Sequence, residues 1–150
     1  MSAENAELVA ALQPDPDVNL VELFRDDAAW ANIAEALGPI WHDDVETVFV
    51  GTGQESRNRG VDGFRHTWVE WLAPWETYRA EITRVIDCGD EVLVITDDYG
   101  RKPGMTAEVR LFGAAVWTMR EGRVAKARFY TDRQDALNDV GLDAAILAGE

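Results

Sequence analysis

The chain has 150 residues and a net charge of −14 at pH 7, with an isoelectric point near 4.4. Its hydrophobic fraction of 47% and charged fraction of 28% exclude wholesale disorder. A field this acidic repels phosphate, so neither nucleic acid nor a membrane surface is an expected partner. No apolar run exceeds seven residues, from Leu111 to Trp117 with Gly113 counted, so no segment is expected to span a bilayer. The single cysteine, Cys88, has no internal disulfide partner, and the first basic residue is Arg25, so no signal peptide is expected. A cytoplasmic protein of one domain, residues 1–150, is the expectation.

Residues 1–16 read as an N-terminal arm or docking helix, apolar from Leu8 to Leu12 and halted at Pro14-Asp15-Pro16. Leu20 to Leu37 reads as one helix that stops at Gly38-Pro39. At about 100° per residue, Leu20, Leu23, Phe24, Trp30, Ala31, Ala34 and Leu37 form a stripe with Asp27 in its middle. Trp41 to Asp44 reads as a polar turn, Val45 to Val50 as a strand and Gly51 to Arg59 as a polar loop. No Gly-Lys-Ser/Thr follows those glycines, so they do not make a phosphate loop. From Val61 the helical period returns, with Phe64, Trp68, Trp71, Leu72 and Trp75 on one face and His66 on the other.

The remainder reads as four antiparallel strands: Tyr78 to Asp87, Val92 to Tyr99, Ala107 to Met119 and Val124 to Thr131. Gly-containing turns at Cys88-Gly89-Asp90 and Glu121-Gly122 join two hairpins. Residues 132–150 read as a short closing helix, stopped by Gly141, and a tail. The order predicts an α+β fold, with helices packed on a strongly curved, mainly antiparallel sheet. The open end of such a cone can hold a ligand.

Several stretches carry a family resemblance: Gly60 to Arg65, Trp71 to Tyr78, Asp87 to Val92, Val116 to Val124, Tyr130-Thr131-Asp132 and Ala136-Leu137. In this order and spacing, over roughly Leu20 to Leu142, the chain resembles the nuclear-transport-factor-2-like superfamily, in particular its SnoaL-like branch. The resemblance implies a cone-shaped α+β barrel, usually a homodimer, with an apolar pocket. It leaves function open, because the superfamily holds isomerases, cyclases, epoxide hydrolases, dehydratases and binders without activity. Its epoxide hydrolases hold a water with an Asp-Arg-Asp set. The corresponding positions here are Asp98, Thr96 and Phe129, so that mechanism is disfavoured. The last strand has no acid before Asp132, which reads as a helix cap, so a SnoaL-type cyclase site is also in doubt.

The candidate catalytic residues are Asp27, Asp98 and His42. Asp27 either lines the cavity, where desolvation raises its pKa, or pairs with an arginine such as Arg128 or Arg110. Of Asp97-Asp98, one points inward by the strand period, and the sequence does not say which. Asp98, Tyr99 and Tyr130 are raw material for the acidic donors of a ketosteroid-isomerase pattern. His42, beside Trp41, either reaches a pocket mouth or is structural. His42 and His66 lack metal-ligand spacing, so no metal and no cofactor is expected. Cys88 has no basic neighbour and reads as inert.

Six tryptophans are the most distinctive feature of the chain. The candidate pocket wall is Trp30, Trp41, Trp68 and Trp71, with Phe64, Tyr99, Phe112 and Phe129. It would suit a small apolar, planar or polycyclic ligand, although such aromatics also serve as plain core. Three readings follow: a small-molecule binder, a cofactor-independent isomerase, cyclase or dehydratase acting on a polyketide- or steroid-like substrate, or a dimeric interaction module with a vestigial pocket. A pocket carboxylate with a raised pKa favours the enzyme.

Overall fold

The computed structural model describes residues 2–51, 54–143 and 145–148. Residues 52 and 53 of the expected polar loop, and residues 1, 144, 149 and 150 of the expected arm and tail, lie outside the described residues. The chain forms α1 (Ser2–Leu12), α2 (Leu20–Arg25), α3 (Asp27–Leu37), β1 (Trp41–Gly51), β2 (Gln54–Arg59) and α4 (Gly60–Leu72). Four strands follow, β3 (Thr77–Cys88), β4 (Glu91–Arg101), β5 (Val109–Arg120) and β6 (Arg123–Tyr130), then α5 (Arg133–Val140) and α6 (Ala145–Ala148). The six strands make one curved, open sheet in the order β2-β1-β6-β5-β4-β3. Among the described residues, only the β1–β6 pairing is parallel. The α+β architecture is the expected one. Among the described residues, no helix is long and apolar enough to cross a membrane.

The middle of strands β4 and β5 is buried on both faces, and the strand period divides its residues between two cores. Val92 and Val94 point to an inner core shared with α1 to α4, while Leu93 and Ile95 point to an outer core. There they meet Ala114 and Val116 of β5 and Ala136 and Leu137 of α5. This explains an unbroken apolar run in a strand, where a solvated sheet would alternate. The N-cap of α5 is Asp132, whose carboxylate accepts from Gln134 N at 2.9 Å. Gly141 ends the helix at φ 73°, a left-handed conformation that favours glycine.

Three local expectations are corrected. Leu20 to Leu37 is not one helix, because Asp26 is extended and serves both as C-cap of α2 and as N-cap of α3. Its carboxylate accepts from Ala28 N and Ala29 N, and that single extended residue resets the helical phase. The stripe that placed Asp27 among apolar residues therefore does not exist. Asp27 opens α3 with its side chain 93% exposed, paired to Arg65 at 2.8 Å rather than to Arg128 or Arg110.

Gln54 to Arg59 is a strand, not a loop, and β1 begins at Trp41 rather than after a polar turn. The sequence of β2 has no apolar residue, so no period-2 signal marks it. It pairs antiparallel with β1 along its whole length, and ion pairs lie across the seam: Arg57 and Arg59 reach Glu46 of β1 at 3.4 and 3.6 Å, and Lys126 of β6 joins at 3.1 Å. Hydrogen bonding to Lys126 holds the Glu46 carboxyl below its usual range.

Two substitutions test this assignment. Leu72→Ala, at the 1% exposed end of α4, is expected to cost about 2–5 kcal/mol in urea unfolding. Asp27→Asn removes only a solvated ion pair and should change stability by less than about 1 kcal/mol. A large loss at Asp27 would restore it to the interior.

Candidate functional site

Between α1 to α4 and the inner face of the sheet lies a cavity of about 310 Å³, at the lower end of the range for ligand pockets. Helix α4 supplies Phe64, Trp68 and Trp71, three positions that a helix stacks on one side. Phe24 of α2 and Trp30 of α3 close over them. The sheet adds Trp41 and Phe49 from β1, Trp117 from β5 and Phe129 from β6. The rings brace each other: Trp68 stacks on Phe24 at 5.7 Å and meets Phe129 edge-on at 5.0 Å. Trp41 stands perpendicular to Phe64 at 4.8 Å.

Among the described lining residues there is no lysine, arginine or histidine, and Asp98 is the one carboxyl. Asp98 is 8% exposed and accepts a 2.6 Å hydrogen bond on Oδ2 from the hydroxyl of Tyr78, itself 2% exposed. Oδ1 is buried without a hydrogen-bond partner. Burial pushes the Asp98 carboxyl above the usual carboxylate range, and the Tyr78 and Thr96 hydroxyls pull it back only in part. Burial first, and the neighbouring Asp98 charge second, drive the Tyr78 hydroxyl far up as well. The pair therefore carries its mobile proton on Asp98. Tyr78 stays protonated and can steady the carboxylate that proton loss leaves behind.

The carboxyl fits because Gly113 lies beneath it. A Cβ there would stand 2.7 Å from Thr96 Oγ1 and 3.2 Å from Asp98 Oδ2. Both are closer than atoms of a packed interior ordinarily come.

The period of β4 decides between the two neighbouring aspartates. Asp98 faces the cavity, and Asp97 faces outward to Arg110 at 2.7 Å and Arg133 at 2.9 Å. The same alternation places Trp41 in the wall and turns His42 away, where Nε2 meets Arg120 O at 2.7 Å. His42 is not among the residues that line the cavity. Nor is Tyr99, next to Asp98 on the opposite face, which stacks with the Arg79 guanidinium at 4.2 Å. Trp30, Trp41, Phe64, Trp68, Trp71, Phe112 and Phe129 do line it, with Phe112 half-exposed at its rim. Asp27 is on the surface and is not among the residues that line the cavity. Tyr78, Thr96, Phe24, Phe49 and Trp117 are lining residues that the sequence reading did not single out.

Comparison with known proteins supplies the family. The model of the SnoaL-like domain matches residues 20–127. A protein of Jannaschia sp. CCS1 classed as a SnoaL-like polyketide cyclase is 14% identical, with a TM-score of 0.63 over 92% of each chain. TerC, crystallised with polyporic acid, is 18% identical, with a TM-score of 0.61 over 92% of this chain and 98% of that one. A protein of Catenulispora acidiphila with a ketosteroid-isomerase-like fold, in complex with trimethylamine, is 18% identical. Its TM-score is 0.54, over 89% of this chain and 97% of that one. At such identities the likeness concerns the fold alone. No curated protein sequence matches the chain. With its sheet, its cavity and a family model spanning most of its length, the chain belongs to the SnoaL-like domain family.

Proposed function

We propose that the cavity binds a small, largely apolar, planar molecule bearing a carbonyl, and that Asp98 moves a proton to or from it without a cofactor. The observation that carries this reading is the lone carboxyl: buried, protonated above its usual range, held by Tyr78 and set in an aromatic wall. A carboxyl that burial holds above its usual range is a stronger base when ionised and can both take and return a proton. The carboxylate of Asp98 takes a proton from the carbon beside the carbonyl, electron density shifts onto the carbonyl oxygen, and the same carboxyl returns the proton to carbon. One acid–base group suffices for this, and among the described lining residues Asp98 is the one available. The cyclase class of the Jannaschia relative and the polyporic acid of TerC support a flat, oxygen-bearing, carbon-rich ligand. A second reading, a binder without chemistry, rests on the same aromatic wall.

The test uses 2-tetralone as probe, with exchange of its α-protons followed by NMR in deuterated buffer. Wild-type protein is expected to accelerate exchange, and Asp98→Asn to lose about 100-fold or more of that acceleration. Binding of the probe without acceleration would leave the binder reading standing and remove the enzyme.

Stability against pH gives an independent check. In the unfolded chain Asp98 releases its proton near a pH of about 4; folded, it keeps it to higher pH. Ionising it in the cavity therefore costs stability, from the unfolded value upward until the folded one is passed. Asp98→Asn escapes that cost. The variant should gain stability relative to wild type as pH rises through this window, and a difference that stays flat with pH sinks the assignment.

A further inference from the structure

Thr96 and Gly113 face each other as one rung of β4 and β5. The last rung between β5 and β6 is Ala114 with Tyr130, so at Gly113 strand β5 has outrun its neighbour. Arg133, the first residue of α5, fills that place on the outer face. Its Nε donates to Gly113 O at 3.2 Å, and its Nη2 donates to Thr96 O and, at 2.9 Å, to Asp97 Oδ1. The guanidinium packs 5.1 Å from the centroid of the Phe112 ring. One planar fork thus joins both strands of the rung, which a lysine ammonium does not reproduce.

The opposite face of that rung carries the acid–base group. The Asp98 carboxyl lies over Gly113, and the Thr96 hydroxyl stands beside it. We propose that Arg133 is a positioning residue: a staple from α5 that fixes the Thr96–Gly113 rung from outside and so sets where the Asp98 carboxyl stands inside. The inference rests on the reading of Asp98 as the proton carrier. The charged and titratable groups around Asp98 are Tyr78 of β3, Asp97 of β4 and Arg133 of α5. Asp97 keeps Arg110 as a partner at 2.7 Å when Arg133 is removed, so no bare carboxylate is created. Removing Arg133 takes away a charge that favours ionised Asp98 and frees the rung that carries it.

The experiment titrates the Asp98 carboxyl carbon by ¹³C NMR in the full, ligand-free chain, with the signal assigned by its loss in Asp98→Asn. Amide hydrogen exchange across the Thr96–Gly113 rung is followed alongside. In Arg133→Met the midpoint should rise by about half a unit or more, a roughly threefold tighter hold on the proton. Exchange at the rung should speed up about tenfold or more. Arg133→Lys restores charge without the fork, so exchange should remain fast and its midpoint should return only part of the way to wild type. A wild-type midpoint beside fast exchange overturns the proposal, because the freed rung then leaves Asp98 unmoved. A folded Arg133→Met with the wild-type midpoint overturns the proposal. So does a midpoint that moves while exchange does not, since Arg133 is then only a nearby charge. If Arg133→Met fails to fold, wild-type exchange in Arg133→Lys overturns it. A wild-type midpoint in the ordinary carboxylate range would instead remove the acid–base reading of Asp98, and a shift in Arg133→Met would still support the staple.

Discussion

Strand β3 pairs with β4 in one register from Cys88 back to Arg84 and in another from Ile82 to Thr77, with Thr83 as the extra residue between them. A strand shifted by one residue presents the opposite set of side chains to each face. Below the bulge, Ala80 lies across from Asp98 and Tyr78 across from Gly100, which brings the Tyr78 hydroxyl to the carboxyl. Carried straight back from the hairpin turn, the upper register would turn Tyr78 to the outer face. Asp98 would then be a buried carboxyl without its hydroxyl partner, an arrangement with a full desolvation cost. The bulge therefore decides what chemistry the inner face can hold. Trp75 depends on the same stretch: it packs on Gly100, where a Cβ would stand 2.5 Å from its ring.

Much of this was legible in the residues, and the gaps have physical causes. The order of elements followed from helical stripes, the Gly-containing turns and the apolar strands, because core burial writes a period into the sequence. The aromatic set was visible for the same reason. Asp27 was misplaced because Asp26, one extended residue, breaks the periodicity on which the stripe rested. Strand β2 was missed because backbone pairing with β1, not an alternation of buried side chains, holds it. Tyr78 went unrecognised because a bulge leaves no compositional mark: Thr83 is an ordinary strand residue. His42 and Tyr99 were drawn toward the pocket by their neighbours, Trp41 and Asp98, although adjacent strand residues face opposite ways.

The charges are sorted as strictly as the apolar groups. Arginines sit outside the cavity against acids: Arg79 with Glu108, Arg101 with Glu76, Arg128 with Glu91 and Asp139. The chain keeps a large negative excess, and no cation among the described residues reaches the cavity wall. An anion would enter against the outer field and find only a carboxyl within. A neutral, flat molecule meets neither obstacle.

The packing of the rings has a spectroscopic consequence. Trp41 lies 5.9 Å from Trp117 at 77°, and Trp71 lies 6.3 Å from Trp75 at 54°. Indoles so close and so steeply inclined couple their most intense electronic transitions, which gives a pair of circular-dichroism bands of opposite sign in the far ultraviolet. Trp41, Trp71 and Trp117 all border the cavity, so a guest that tilts any of them alters the exciton coupling. The protein thus carries an intrinsic optical reporter of its own occupancy, readable without a label.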